Sequence, residues 1–226
     1  MEALWLSLRL ALCVAAILLL LGMPLAYWLS QTRWRGKFLI ESIVALPLVL
    51  PPTVLGFYVL LAMGARGPLG KIWVAWFGHT LAFTFTGLII ASALYSLPFA
   101  VQPLVAAFES VDGRLLDAAA VLGAGRLRTF FKIILPLSIP GVVTAAVLSF
   151  AHTLGEFGVV LMVGGNIPGV TRTVSIDIYD HVQSLDYADA NRMALILLVF
   201  SFVVLSVVYG VNRRVGRRVW ATWPAR

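Results

Sequence analysis

Charge is what this chain has least of. Of its 226 residues only 12% are Asp, Glu, Lys or Arg, about half the share of an ordinary soluble domain. So few ionic groups cannot cover a water-facing surface. The 61% hydrophobic content excludes intrinsic disorder, which needs the opposite balance. Cysteine is nearly missing: Cys13 stands alone, so neither an internal disulfide framework nor a Cys-rich metal site is available. His79, His152 and His181 share no spacing of the kind a metal site uses, and no metal is expected. There is no G-x-x-x-x-G-K-[ST] phosphate loop. Gly64 to Gly70 is glycine-rich, but no Lys-Ser or Lys-Thr follows in register. The chain is therefore not expected to bind a cofactor or hydrolyse ATP by itself. H-E-x-x-H and G-x-S-x-G motifs are missing too, so no catalytic residue is assigned.

What is present is apolar length. A membrane-spanning helix needs about 20 mainly apolar residues. Five stretches qualify, at about 4–29, 39–63, 81–107, 139–163 and 193–211. They predict an all-α integral membrane protein, a bundle of five transmembrane helices forming one domain over 1–226. The first stretch lacks the basic start and short core of a signal peptide. Arg33, Arg35 and Lys37 follow it, which reads as a retained anchor. Basic residues set orientation. With the N-terminus outside, twelve of the 17 Lys and Arg residues fall on the cytoplasmic side, among them Arg213, Arg214, Arg217, Arg218 and Arg226. The +7 net charge is thus expected to record topology, with the C-terminus in the cytoplasm, and not a nucleic-acid surface. The anionic inner leaflet attracts such clusters by about 1 kcal/mol per basic residue.

The spans carry proline. Pro47, Pro51 and Pro52 lie in the second, Pro98 and Pro103 in the third, and Pro136 and Pro140 open the fourth. Each removes a backbone donor and kinks a helix. Freed carbonyls at membrane depth must be met by protein or a water-lined cavity. Two readings stand level: ordinary kinking, or a path that opens and closes at Pro51 and Pro52.

Between the third and fourth spans lies a segment, 109–136, with more helical propensity than a loop needs. Asp117 to Leu122 favours helix, Gly123 and Gly125 permit a sharp turn, and Arg126 to Ile134 forms a second short helix stopped by Pro136. Phe130, Phe131 and Ile134 are expected to form one apolar face. The pattern resembles the coupling motif of prokaryotic ABC importer permeases, in which Glu-Ala-Ala, three variable residues and Gly precede Ile-x-Leu-Pro after nine more. Asp117, Ala118, Ala119 and Gly123 match at that spacing, with Asp for Glu, and Ile133, Leu135 and Pro136 complete it. Residues 46–54, the loop 64–70, Leu154-Gly155-Glu156-Phe157-Gly158, 164–169 and 171–176 are similar to the molybdate and sulfate branch, and to its molybdate members in particular. The resemblance implies a permease subunit of an ATP-driven importer in a bacterial inner membrane. Its elbow (Asp117, Ala118, Ala119, Gly123, Ala124, Gly125, Arg126, Leu135 and Pro136) would insert into a separate ATP-binding cassette ATPase. That partner uses ATP and Mg. Two permease copies enclose one path, and a periplasmic molybdate-binding protein delivers the substrate.

Polar residues inside the spans are functional hypotheses by default. His152 and Glu156 are spaced i,i+4 and would share a helix face and pair. At about 1.5 Å per residue from Ile139, Glu156 sits about 25 Å along, near the outer end. His152, Thr153 and Glu156 are then either a solvated group at the mouth or part of an outer gate. Thr84, Thr86, Ser92, Ser96, Thr144 and Ser149 supply hydroxyls to the path, and no Lys or Arg lies deep enough to bind an oxyanion tightly. On the outer side, Val174, Ile178, Val182 and Leu185 recur at helical spacing. Asn166, Arg172, Asp177 and Asp180 form either a simple cap or a rim where the binding protein docks. A secondary transporter is the competing class; inverted repeats or deep charge relays would mark it, and neither is evident.

Overall fold

The computed structural model describes residues 2–221, and they are helical throughout, with no strand among them. In chain order the helices are α1 (Glu2–Gln31), α2 (Lys37–Val49), α3 (Pro52–Met63), α4 (Pro68–Phe77), α5 (Phe85–Glu109) and α6 (Gly113–Val121). They continue as α7 (Arg126–Thr129), a π-helical turn (Phe130–Ile134), α8 (Leu135–Leu137), α9 (Ile139–Leu154), α10 (Gly158–Gly164), α11 (Val174–Gln183) and α12 (Tyr187–Ala221). Three helices are long and apolar enough to cross a membrane, and five spans result if each of two bent pairs counts as one. The side chains of Arg213, Arg214, Arg217 and Arg218, and all of Arg226, lie outside the described residues.

The centre is a bundle of α1, α5 and α9. One buried cluster, with Leu6, Leu10, Leu88, Val160 and Ile176, fills the end that carries the N-terminus. A second, with Leu29, Val44, Leu104, Phe108 and Ile134, fills the opposite end. Between apolar helices in lipid the attraction is close packing, which small residues permit. Gly141 of α9 shows this: a Cβ there would stand 2.2 Å from Cβ of Ala107 on α5. The far end is tied by Lys37, whose Nζ lies 3.1 Å from Glu109 and 3.3 Å from Glu41.

Prolines act according to their neighbours. Pro98 and Pro103 stay inside an unbroken 25-residue α5, because each removes a single backbone bond. Leu50-Pro51-Pro52 does break the chain. A residue before proline is pushed out of the helical region, and two prolines in a row push two residues: Leu50 has ψ 134° and Pro51 ψ 138°. The second stretch, expected to be kinked at its prolines, is therefore two helices bent by 113°, with α3 turned to pack against α10.

The expected fourth span is corrected as well. Its helix stops at Leu154, and α10 starts at Gly158 as a separate element. At its other end Pro136 does not stop the preceding helix. The Leu135 N–H reaches Phe130 O, and this widened turn carries the chain past the proline until Ser138, where the axis bends by 73°.

Candidate functional site

Three groups of predicted residues can be placed, and the elbow is the most regular. Asp112 caps α6, its carboxylate accepting from Arg114 N at 2.9 Å. At the other end Gly123 N donates to Ala120 O (3.0 Å) and Ala124 N to Ala119 O (2.9 Å). This is the pair of bonds that closes a helix when the next residue is left-handed. Gly123 is that residue, with φ +74°. Gly125, by contrast, is extended at φ −67° and ψ 159°. The two glycines therefore have different jobs, a distinction the sequence does not carry. Ala119 is buried and Ala124 half-buried, while Asp117, Ala118, Gly123, Gly125, Arg126 and Pro136 are exposed.

The apolar residues of the elbow split into two faces, which corrects the single face expected. Phe130 packs inward, its ring centroid 4.8 Å from Tyr27 and 5.7 Å from Phe108, and Ile134 is buried beside them. Phe131 points out, and with Val121, Leu122 and Leu127 it leaves large apolar surface uncovered. Phe131 still touches Phe130, edge to face with ring centroids 5.1 Å apart, so the two rings lie where the anchored and the uncovered surfaces meet. One surface anchors the elbow to the bundle, and the other is uncovered among the described residues.

The second group surrounds a cavity of about 630 Å³ at the breaks in the second and fourth stretches, lined by Pro52, Thr53, Tyr95, His152, Glu156 and Met162, among others. Pro51 caps α3 just outside it. Thr86 is exposed in the first turn of α5 and is not part of its wall. His152 and Glu156 do not share a helix face, because the helix ends between them. His152 Nδ1 instead shares a hydrogen bond with Ser96 Oγ (2.9 Å), which also meets Thr153 Oγ1 at 2.8 Å. The imidazole stacks on Phe99 with centroids 3.9 Å apart and leans on Tyr95. Glu156 is 4% exposed. Ser92 Oγ faces its carboxyl, yet neither group makes a hydrogen bond of normal geometry among the described residues. Such a group is costly to bury, and it sits at a helix break beside a cavity. Thr84, Thr144 and Ser149 turn to their own helices instead: Thr84 caps α5, and the other two donate to Pro140 O and Ala145 O.

The third group lies at the N-terminal end. Arg172 gathers all of its expected neighbours. Its Nε donates to Asn166 Oδ1 at 2.6 Å, and its guanidinium lies 3.7 Å from Asp177 and 3.5 Å from Asp180. The loop is set by buried Thr171, which donates to Gly164 O (2.7 Å), and by Ser7 of α1, which accepts from Val174 N (2.8 Å). Nothing in the sequence around Ser7 signals that contact. α11 buries Val174 and Ile176, while Val182 is exposed and Leu185 has left the helix at φ +62°. The expected stripe is thus shorter and turned.

Comparison with known proteins agrees with this fold. The molybdenum transport system permease protein ModB of Azotobacter vinelandii is 53% identical over 213 residues, 94% of each chain. ModB of Escherichia coli K12 is 39% identical over 208 residues, covering 90% of this chain and 91% of that one. The sulfate transport system permease protein CysT of Escherichia coli K12 is 33% identical over 198 residues, 88% of this chain but 71% of its own length. Among solved structures, an inward-facing form of the MetNI methionine ABC transporter superposes with a TM-score of 0.72 at 18% identity, covering 94% of both chains. A bacterial ABC transporter that imports alginate gives 0.73 at 18% identity, covering 92% of this chain and 78% of that one. Residues 18–221 match the model of the binding-protein-dependent transport system inner membrane component, and the chain belongs to that family.

Proposed function

We propose that this chain is the membrane permease subunit of an ATP-driven importer that moves molybdate into the cytoplasm by alternating access. The observation that carries the substrate is the 53% identity to a molybdenum permease across 94% of both chains. The sulfate permease matches less closely and extends well beyond the shared region.

In this reading the elbow is where force enters. Its outward Val121, Leu122, Leu127 and Phe131 dock on a separate ATP-binding cassette ATPase, which holds ATP and Mg and does the hydrolysis. Phe130 and Ile134 pass the motion to α1 and α5 through Tyr27 and Phe108. The helix break at Glu156 and Pro52 is the moving part of the path. Two copies of the chain enclose that path, each contributing the cavity with His152, Thr153 and Glu156. Substrate contacts are hydroxyls and freed backbone groups, so the permease holds the dianion briefly. Selection belongs to a periplasmic molybdate-binding protein that docks on the rim of Asn166, Arg172, Asp177 and Asp180. Charges of this kind set partner choice and encounter rate more than affinity. The elbow end faces the cytoplasm and the N-terminus faces outward, as the distribution of Lys and Arg supports.

The test is uptake of labelled molybdate into vesicles holding the assembled complex with its binding protein. Uptake is expected to require ATP inside the elbow-facing compartment, to be competed by tungstate and to be little affected by equal sulfate. Uptake without ATP, or equal competition by sulfate, refutes the proposal.

A further inference from the structure

Arg9 is a charge in the wrong place for a lipid-facing helix. The outward stripe of α1 runs Trp5, Arg9, Leu12, Ala16 and Leu20, all exposed. Arg9 lies inside it, about 10 Å along the helix from Glu2 at 1.5 Å per residue. Among the described residues it makes no ion pair. Its guanidinium is instead held over the Phe85 ring, 4.7 Å from the centroid, at the first residue of α5. That contact ties the charge to the start of α5, beside the N-terminal part of α1. A cavity of about 360 Å³ opens there between Trp5, Leu6, Arg9, Phe85 and Val170, with Glu2 at its rim. Trp5 is 70% exposed, placed as interfacial aromatics are.

An uncompensated cation facing hydrocarbon is costly and escapes by reaching the headgroup layer. A guanidinium binds phosphate oxygens through two parallel N–H bonds. We propose that this cavity is a phospholipid site: Arg9 takes the headgroup phosphate, Trp5 and Phe85 flank the glycerol region, and an acyl chain descends along Leu12. The lipid belongs to the leaflet at the N-terminal end. It bridges α1 and α5, and its cavity shares no lining residue with the one at Glu156, so the site is distinct from that cavity and stands whether or not the proposed substrate is right.

The experiment is native mass spectrometry of the full chain, purified with its partner subunits and titrated with phosphatidylglycerol. Arg9→Gln is compared with Arg9→Lys and with Arg33→Gln at the opposite end. Arg9→Gln is expected to weaken retention of one lipid per chain about fivefold, the effect of one basic residue at the surface. Arg9→Lys restores part of it, and Arg33→Gln leaves that lipid in place. Equal retention by the wild type and Arg9→Gln overturns the site. Displacement of the lipid by millimolar inorganic phosphate also overturns it, since the ligand is then a free anion. So does a loss of permease pairing with unchanged lipid in Arg9→Gln, since the arginine then faces a second copy of the chain.

Discussion

Gly123 and Gly125 look interchangeable in the sequence and are opposite in the structure, which makes them a matched test of the elbow. Gly123 sits at φ +74° with nothing within 4 Å of an added Cβ. Alanine there meets no neighbour and suffers only the backbone penalty of the left-handed region, about 1–2 kcal/mol for an L-residue. Gly125 also has open space around it, but its extended backbone suits any residue. Gly123→Ala therefore shifts the population of the closed elbow by about 5- to 30-fold, and Gly125→Ala leaves it unchanged. The bundle does not feel either substitution, because the anchoring face at Phe130 and Ile134 lies on the other side. ATP-driven uptake and affinity for the ATPase are to be measured in both variants, with thermal unfolding of the permease alone as the control. Loss in Gly123→Ala with normal unfolding and normal Gly125→Ala is the expected result. Equal uptake by both variants refutes the assignment of coupling to this turn.

Two further outcomes follow from the cavity and the far end. Glu156→Leu removes a buried carboxyl whose oxygens lack partners. It should therefore raise the midpoint of thermal unfolding while lowering uptake. A lowered midpoint means the carboxyl is satisfied in place. Lys37→Met at the end near Glu109 is expected to cost less than about 1 kcal/mol, as exposed ion pairs do. The hydrogen bond that Lys37 donates to Glu109 is the main cause raising the lysine above its usual value. Its contribution is thus fully present below the unfolded lysine value and is lost as pH climbs through the higher folded one. Wild type and Lys37→Met should converge in stability as pH rises past the ordinary lysine value of about 10.4 and through the higher folded one, and a gap that widens with pH refutes the pairing.

Much of this architecture was legible in the chain because it depends on local chemistry. Apolar length predicts spans wherever a backbone must satisfy itself in lipid. Asp117 to Gly125 announces a helix ending in a glycine turn, although not which glycine is left-handed. Leu50-Pro51-Pro52 announces a break, although not its 113° angle, since proline excludes a conformation without choosing the direction that follows. Pro98 and Pro103 show the limit: the same residue type, inside α5, breaks nothing.

What the sequence by itself determined is therefore the membrane class, the number of apolar stretches, the elbow and the clustering potential of Asn166, Arg172, Asp177 and Asp180, all set by neighbours close along the chain. Tertiary structure alone decided that His152 turns to Ser96 and not to Glu156, and that Thr86 stands outside the cavity. It also decided that Phe130 is packed against the bundle while Phe131 stays exposed, and that Ser7 holds a loop 167 residues away. These depend on where separate helices come to rest against one another. A hydroxyl or a ring takes whichever partner the packing brings within about 3 Å, and spacing along one chain carries no record of that choice.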